Sequence, residues 1–208
     1  MRCVPDFEIE KNSGFKIVVG VDEAGRGPLC GPVVAGAVIF KKYDFDDMPI
    51  IRDSKQMSEK QREIAYDWII NNPDVICAIG QCSAVEIDEM NILRASLTAM
   101  KRAIAALGVE YEYCLVDGNK MPDNITGQAV VKGDAKSISI AAASIIAKVT
   151  RDRIMRELAV KFPQYAWDKN AGYPTQQHLA AIEKYGINEH YRKSYGPVKK
   201  ILDSREKS

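Results

Sequence analysis

The chain has 208 residues, 46% of them hydrophobic and 27% charged, with 29 Lys and Arg against 28 Asp and Glu. That length and balance describe one globular domain with a real core, with or without a helical appendage, and exclude wholesale disorder. A net charge of +1 supplies no bulk field for nucleic acid or anionic membrane, so a local patch has to meet any such partner.

The first sixteen residues carry acids and no apolar run, unlike a signal peptide, and without a targeting segment the expected location is the cytoplasm. Residues 17–22, Ile-Val-Val-Gly-Val-Asp, are short, β-branched and apolar, which predicts a buried strand. Gly25-Arg-Gly-Pro-Leu-Cys-Gly-Pro is turn chemistry and leads into a second strand over 33–40, so an antiparallel pair is expected. Ser58-Glu-Lys-Gln is a capping box that opens a helix through Trp68 and Ile70 and stops before Pro73.

Residues 75–83 return to a strand pattern. Residues 92–107 place Leu93, Leu97, Met100, Ile104 and Leu107 on one helical stripe, with Gly108 as the stop. A strand over 113–116 ends on Asp117, and a very short one follows at 129–131. Residues 139–158 read as a long helix whose Ala-rich start should pack closely on a neighbour. The weakly polar stretch 138–149 is too short to span a membrane. The last fifty residues read as helices and loops, one helix covering 175–185 and ended by Gly186. The pattern predicts an α/β fold, a mixed sheet with helices on its faces over residues 1–155, then a helical C-terminal portion over 156–208 within one functional unit.

Five cysteines, Cys3, Cys30, Cys77, Cys82 and Cys114, are odd in number and lack zinc-site spacing, and the chain has two histidines, His178 and His190. Reduced thiols in and around a core are expected.

Acids recur at strand ends. Asp22 and Glu23 close the first apolar strand, Asp117 closes another, and Asp134 follows Val130-Val-Lys-Gly. A lone acid after a strand usually serves a turn or a helix cap. The adjacent pair Asp22-Glu23, with acids at two further strand ends, instead points to the rim where open α/β sheets bind ligands, where they converge if the strands are neighbours. Like charges ~4 Å apart repel by roughly 4 kcal/mol at an effective dielectric near 20, so such a cluster demands raised pKa values or a cation. Oxygen-only donors select Mg²⁺ or Mn²⁺ over zinc, and a pair of such ions is the known device for displacement at phosphorus. A nucleotide scaffold using Gly25 to Gly31 as a phosphate loop is a weaker reading, because no Gly-Lys-Ser/Thr follows.

The segment from Gly20 through Val33, with Val-Asp-Glu-Ala-Gly-Arg-Gly-Pro at its heart, resembles the type 2 ribonuclease H family, ribonuclease HII. Later blocks resemble it in order: Asp53-Ser-Lys, Ile87-Asp-Glu-Met-Asn-Ile-Leu, Val116-Asp-Gly-Asn, Val131-Lys-Gly-Asp and the run from Ile140 through Asp152. Phe162-Pro-Gln-Tyr, Gly172-Tyr-Pro-Thr and His190-Tyr-Arg-Lys-Ser-Tyr-Gly-Pro-Val complete the set. The resemblance implies a ribonuclease H-like five-stranded mixed sheet with C-terminal helices closing over a substrate groove. It implies hydrolysis of the RNA strand of RNA/DNA hybrids and incision 5′ of single ribonucleotides in DNA, by two ions, Mg²⁺ or Mn²⁺, leaving 5′-phosphate and 3′-hydroxyl ends. Asp22, Glu23, Asp117 and Asp134 match the family's four metal-binding carboxylates.

By the same resemblance Gly25, Arg26 and Gly27 would sense the 2′-hydroxyl at the RNA–DNA junction, and Tyr173 would stack on the following deoxyribose. Lys55, Lys148, Arg192 and Lys193 are candidates for phosphate contacts, and the run 191–200 carries four basic residues and no acid. The family usually has a basic residue just before its Gly-Tyr, where this chain has Asn170-Ala171, and Tyr191 stands where Arg is commoner. An extra N-terminal substrate-binding domain of the type 3 kind has no room before the first strand. No glutamine-plus-aromatic tail for a sliding clamp follows Lys200, the last residues read as a frayed tail, and a monomer without membrane contact is expected. A DNA-directed metal-dependent nuclease or strand transferase of the same superfamily and a non-catalytic hybrid binder are the alternatives; Arg26 with Tyr173 argues against the first and four intact acids against the second.

Overall fold

The computed structural model describes residues 4–205; Cys3 and the end of the expected tail, residues 206–208, lie outside that range. Five strands form one mixed sheet: β1 (Val18–Ala24), β2 (Val33–Phe40), β3 (Val75–Cys82), β4 (Tyr113–Asp117) and β5 (Gly127–Val130), in the order β3-β2-β1-β4-β5. β1 pairs antiparallel with β2, and β2 with β3. β1 pairs parallel with β4, and β4 with β5. The expected antiparallel first pair is present, and β1 runs two residues past Asp22, with Glu23 opposite Ala35 and Ala24 opposite Val34. β5 begins earlier than its apolar residues suggest, at Gly127, and ends before Val131, which is exposed.

The helices are α1 (Glu8–Asn12), α2 (Glu59–Asn71), α3 (Ala84–Met90), α4 (Ile92–Ala106), α5 (Ile138–Lys161), α6 (Trp167–Asn170), α7 (Gln176–Tyr185) and α8 (Gly196–Arg205). The Ser58/Gln61 capping box is formed at the start of α2. α3 has its own box, Ser83 with Glu86, a signal the sequence reading passed over. α5 is longer than expected at both ends. Ser137 caps it by accepting from Ile140 N, and no helix breaker follows Leu158 until Pro163.

Strand alternation assigns the two sheet faces. Val19, Val21, Ala35, Ala37, Cys114 and Val116 pack with the apolar stripe of α4. Val38 and Phe40 pack with α2 and α5. The Ala-rich start of α5 lies directly on the sheet because two strand positions have no side chain. A Cβ on Gly20 would stand 2.1 Å from the Ser139 carbonyl carbon, and one on Gly36 would stand 2.5 Å from Ala143 O.

A third core joins the C-terminal portion to the Gly-rich turn: Leu29 and Cys30 pack with Met155, Tyr165, Trp167, Ile182, Tyr191 and Val198. α5 crosses residue 155 without a break and feeds that core, so the two portions share one helix. The four described cysteines, Cys30, Cys77, Cys82 and Cys114, are free thiols. Among the described residues no helix is long and apolar enough to cross a membrane.

Candidate active site

Register brings the acids together. Val21 pairs with Val116 in the parallel β1–β4 ladder, so Asp22 and Asp117 leave adjacent strands side by side at the carboxyl edge. Asp117 pairs with Val130, and beyond that residue the chain turns through left-handed Lys132 (φ 56°) into a 3₁₀ turn, Gly133–Ala135, that carries Asp134. Gly133 N donates to Asp117 Oδ1 at 2.7 Å, which ties this turn to β4. Asp22 is 7% exposed, and its Oδ1 accepts from Glu23 N at 2.7 Å.

The electrostatics are those of crowded like charges. Burial pushes the Asp22 carboxyl well above the usual range, and Glu23, Asp117 and Asp134 push it further. Glu23 is also raised by burial, against the pull of the Arg26 guanidinium, whose Nη1 lies 3.2 Å from Oε1. Asp134 rises to about 6 through burial, then through Asp53 and Asp117. Asp53 is a member the sequence reading missed, although its Asp-Ser-Lys block was in view. It accepts from Lys55 N and from Gln56 Nε2 and faces Asp134. Burial alone would lower the Lys55 ammonium, but Asp22, Asp53, Asp134 and Asp117 outweigh it and raise its pKa.

Asp22, Glu23, Asp117, Ser54 and Lys55 floor a groove of about 420 Å³, and neither Asp134 nor Asp53 lines it. Its rim is formed by Gly25, Arg26 and Gly27 with Tyr173, and α5 contributes Lys148 and Arg151. Gly27 and Tyr173 face each other, since a Cβ at Gly27 would lie 3.3 Å from Tyr173 Cε1. Tyr173 keeps 45% of its surface exposed. Its loop is held from behind: Leu29 N donates to Gly172 O, and His178 Nδ1 donates to Tyr173 O at 2.8 Å. The Asn170-Ala171 departure is accommodated there, Asn170 accepting from Gly172 N and Ala171 O accepting from Arg151.

Of the expected basic residues, Lys148 reaches the groove and Arg192 does not. Lys148 lines the groove but is already paired with Asp152 at 2.7 Å, one helical turn on. Arg192 is not a phosphate contact: it is 0% exposed, and its guanidinium donates to the carbonyls of Gly25, Arg26 and Gly31 and to Tyr195 Oη. A charge count along 191–200 cannot reveal this, because the charge is consumed by main-chain acceptors. Lys193 is exposed, but its N–H is bound by Asp88, so the basic run meets an acid in space.

The donor set fits a hard divalent cation. Every candidate ligand is a carboxylate oxygen, and buried like charges are what such a cation neutralises. Among the described residues, no group of three or more His, Cys, Asp and Glu side chains is gathered tightly enough to hold an ion by itself.

The family model for ribonuclease HII matches residues 19–196. The chain is 52% identical to the ribonuclease HII of Magnetococcus marinus over 95% of both chains. It superposes on the ribonuclease H2 of Pyrococcus horikoshii with a TM-score of 0.76 at 29% identity, over 92% of this chain and all of that one. It also superposes on the ribonuclease HII of Archaeoglobus fulgidus, solved in complex with PCNA, with a TM-score of 0.69 at 25% identity over 86% and 95% of the two chains. The chain belongs to the ribonuclease HII family, whose members are metal-dependent endoribonucleases of the ribonuclease H kind, acting on RNA/DNA hybrids.

Proposed function

We propose that this chain cuts the RNA strand of RNA/DNA hybrids and incises duplex DNA on the 5′ side of a single embedded ribonucleotide, leaving 5′-phosphate and 3′-hydroxyl ends. The observation that carries this reading is the meeting of Gly27 and Tyr173 across the rim of a groove floored by Asp22, Glu23 and Asp117. A glycine lets backbone come close to a ribose, and the 2′-hydroxyl is the group that tells RNA from DNA. An exposed aromatic ring opposite it offers a stacking face for the next sugar.

Asp22, Glu23, Asp117 and Asp134 would hold the metal. When bound, a pair of Mg²⁺ or Mn²⁺ ions supplies the Lewis acidity that in-line displacement at phosphorus requires. The chain's own residues do the rest. Asp117 fixes the Asp134 turn through Gly133 N–H, and Asp22 fixes its own carboxylate on Glu23 N–H, so the acids are oriented before substrate arrives. Lys55, exposed above Asp22 and Asp53, brings positive charge to the scissile region, and Arg26 and Lys148 flank the strand. Residues 1–155 and 156–208 act as one unit, the C-terminal part carrying Tyr173 to the rim, and the enzyme works as a monomer.

The test uses a labelled DNA duplex with one ribonucleotide, an all-DNA duplex beside it, and Mg²⁺, Mn²⁺ or EDTA. A metal-dependent nick 5′ of the ribonucleotide with the control intact is expected. Cleavage of both duplexes would remove the junction reading, and no cleavage with either ion would remove the activity.

A further inference from the structure

The Gly25-Arg26-Gly27 turn is held by a bracket outside the groove, and the bracket involves residues to which the proposed reaction gives no part. Tyr195 Oη donates to Arg26 O at 2.6 Å. Arg192 Nη1 donates to the same carbonyl at 3.0 Å and to Tyr195 Oη at 3.0 Å, while Nη2 donates to Gly25 O at 2.6 Å. The Arg192 guanidinium also lies 5.2 Å from the centre of the Tyr195 ring. Among the described residues Arg192 makes no ion pair, so its buried charge is satisfied by the carbonyls it holds and by Tyr195 Oη.

The segment that carries Arg192 and Tyr195 is itself anchored. Asp88, on α3, accepts from Lys193 N at 2.7 Å, Ser194 N at 2.8 Å and Ser194 Oγ at 2.6 Å. The Ile87-Asp-Glu-Met-Asn block and the block at the end of the chain therefore meet in space and converge on one peptide of the turn.

Peptide geometry turns this bracket into a statement about recognition. No cis peptide is present among the described residues, and in a trans peptide C=O and the following N–H point in opposite directions. With the Gly25 and Arg26 carbonyls drawn in toward Arg192, the N–H groups of Arg26 and Gly27 point away from it, at exposed positions, Gly27 being the one opposite Tyr173. A turn with two glycines has unusual freedom to rotate those peptides, so something has to fix them.

We propose that Tyr195, with Arg192 and anchored by Asp88, is a positioning residue that fixes the Arg26 peptide and thereby sets how strongly the enzyme demands an RNA–DNA junction. This rests on the junction reading of the preceding section. Tyr195→Phe deletes one hydroxyl from a half-buried ring and keeps the packing, whereas Arg192→Lys keeps the charge but offers three donors from one atom in place of the planar fork that reaches Gly25, Arg26, Gly31 and Tyr195.

The experiment has two readouts on wild type, Y195F and R192K, with thermal melting as a check on folding. Amide hydrogen exchange over residues 24–29 is followed without substrate, and kcat/KM is measured on a single-ribonucleotide duplex and on a uniform RNA/DNA hybrid. For Y195F we expect faster exchange confined to the turn, a loss of about tenfold at the junction substrate and about twofold on the hybrid. R192K should move both readouts further in the same direction. Unchanged exchange in Y195F would overturn the positioning role whatever the substrate results. Faster exchange with equal losses on both substrates would overturn the specificity role. Failure of the underlying junction reading shows separately, in wild type, as absence of incision at the single ribonucleotide.

Discussion

Substituting Gly20 by alanine tests the claim that close packing of α5 on β1 sets the site. The added Cβ would lie 2.1 Å from Ser139 C, 2.4 Å from Ser139 O and 2.5 Å from Ile140 N. An ordinary carbon contact needs about 3.5 Å, so the helix would have to lift by roughly 1.4 Å. All three atoms are main chain, in the first turn of α5, and cannot rotate aside. Overpacking costs about 1–3 kcal/mol and sits at the upper end when the neighbour is rigid. At about 2–4 °C per kcal/mol for a chain of this size, G20A should lower Tm by about 6–12 °C. The same movement carries the Asp134 turn away from Asp22, so activity should fall at least about tenfold, even well below the new Tm. Gly196→Ala is the control: its Cβ meets nothing within 4 Å and its φ is ordinary, so Tm should stay within about 2 °C. A G20A protein melting within about 1 °C of wild type would refute the packing argument.

Three further perturbations probe separate parts of the structure. Asp22→Asn should abolish turnover, leave hybrid binding within about threefold, and raise the Tm of the metal-free protein by relieving the buried like charges; a variant with a tenth of the wild-type rate would remove Asp22 from its central role. Glu10→Ala should cost about 2 kcal/mol in urea unfolding, because the buried Glu10 Oε1 accepts from Ser137 Oγ and Ser139 N at the start of α5; a cost under about 0.5 kcal/mol would show that helix end to be self-sufficient. His178 donates from Nδ1 to Tyr173 O, so Nε2 has to accept from Trp167 Nε1 and Tyr191 Oη, and burial lowers its pKa. A lowered histidine stabilises the fold above its unfolded value near 6.5 and loses that contribution as pH falls, so the Tm gap between wild type and His178→Gln should shrink from pH 7.5 to 5.5. A gap independent of pH would refute the neutral assignment.

The sheet and the acids were legible in the sequence for one reason. Buried strands are apolar runs, and a charge that ends such a run declares the sheet edge. Asp22 and Asp117 satisfy that rule, and β1–β4 pairing then makes them neighbours. Asp134 was legible as a residue but not as a geometry, because a left-handed Lys132 and a 3₁₀ turn stand between β5 and the carboxylate. α3 was missed although Ser83 and Glu86 spell its cap, since seven residues are too few for periodicity to register. Asp53 was in view but unassigned, because its distance from Asp134 in sequence hides a pairing made only by the fold.

Arginine was the residue type least readable from the sequence. Arg26, Arg151 and Arg192 look alike in a charge count, yet only Arg26 is exposed at the rim. Arg151 is 2% exposed and donates to the carbonyls of Cys30, Pro32 and Ala171; Arg192 holds Gly25, Arg26 and Gly31. Between them they tie the Gly-rich turn to the Tyr173 loop from inside. Among the described residues neither has a carboxylate partner, burying such charges is costly, and burial lowers the pKa of both, Arg151 to about 10. Five fixed donors spread over a planar fork can reach carbonyls on separate segments, whereas a lysine offers three donors from a single atom. The expense is consistent with a rim whose two halves have to keep one spacing. The acids below are crowded too, and burial with like-charge neighbours raises Asp22 and Asp134. Floor and rim therefore bury opposite signs of charge: crowded carboxylates below, and two guanidinium groups that hold the backbone of the Gly25–Gly27 turn and the Tyr173 loop in place above.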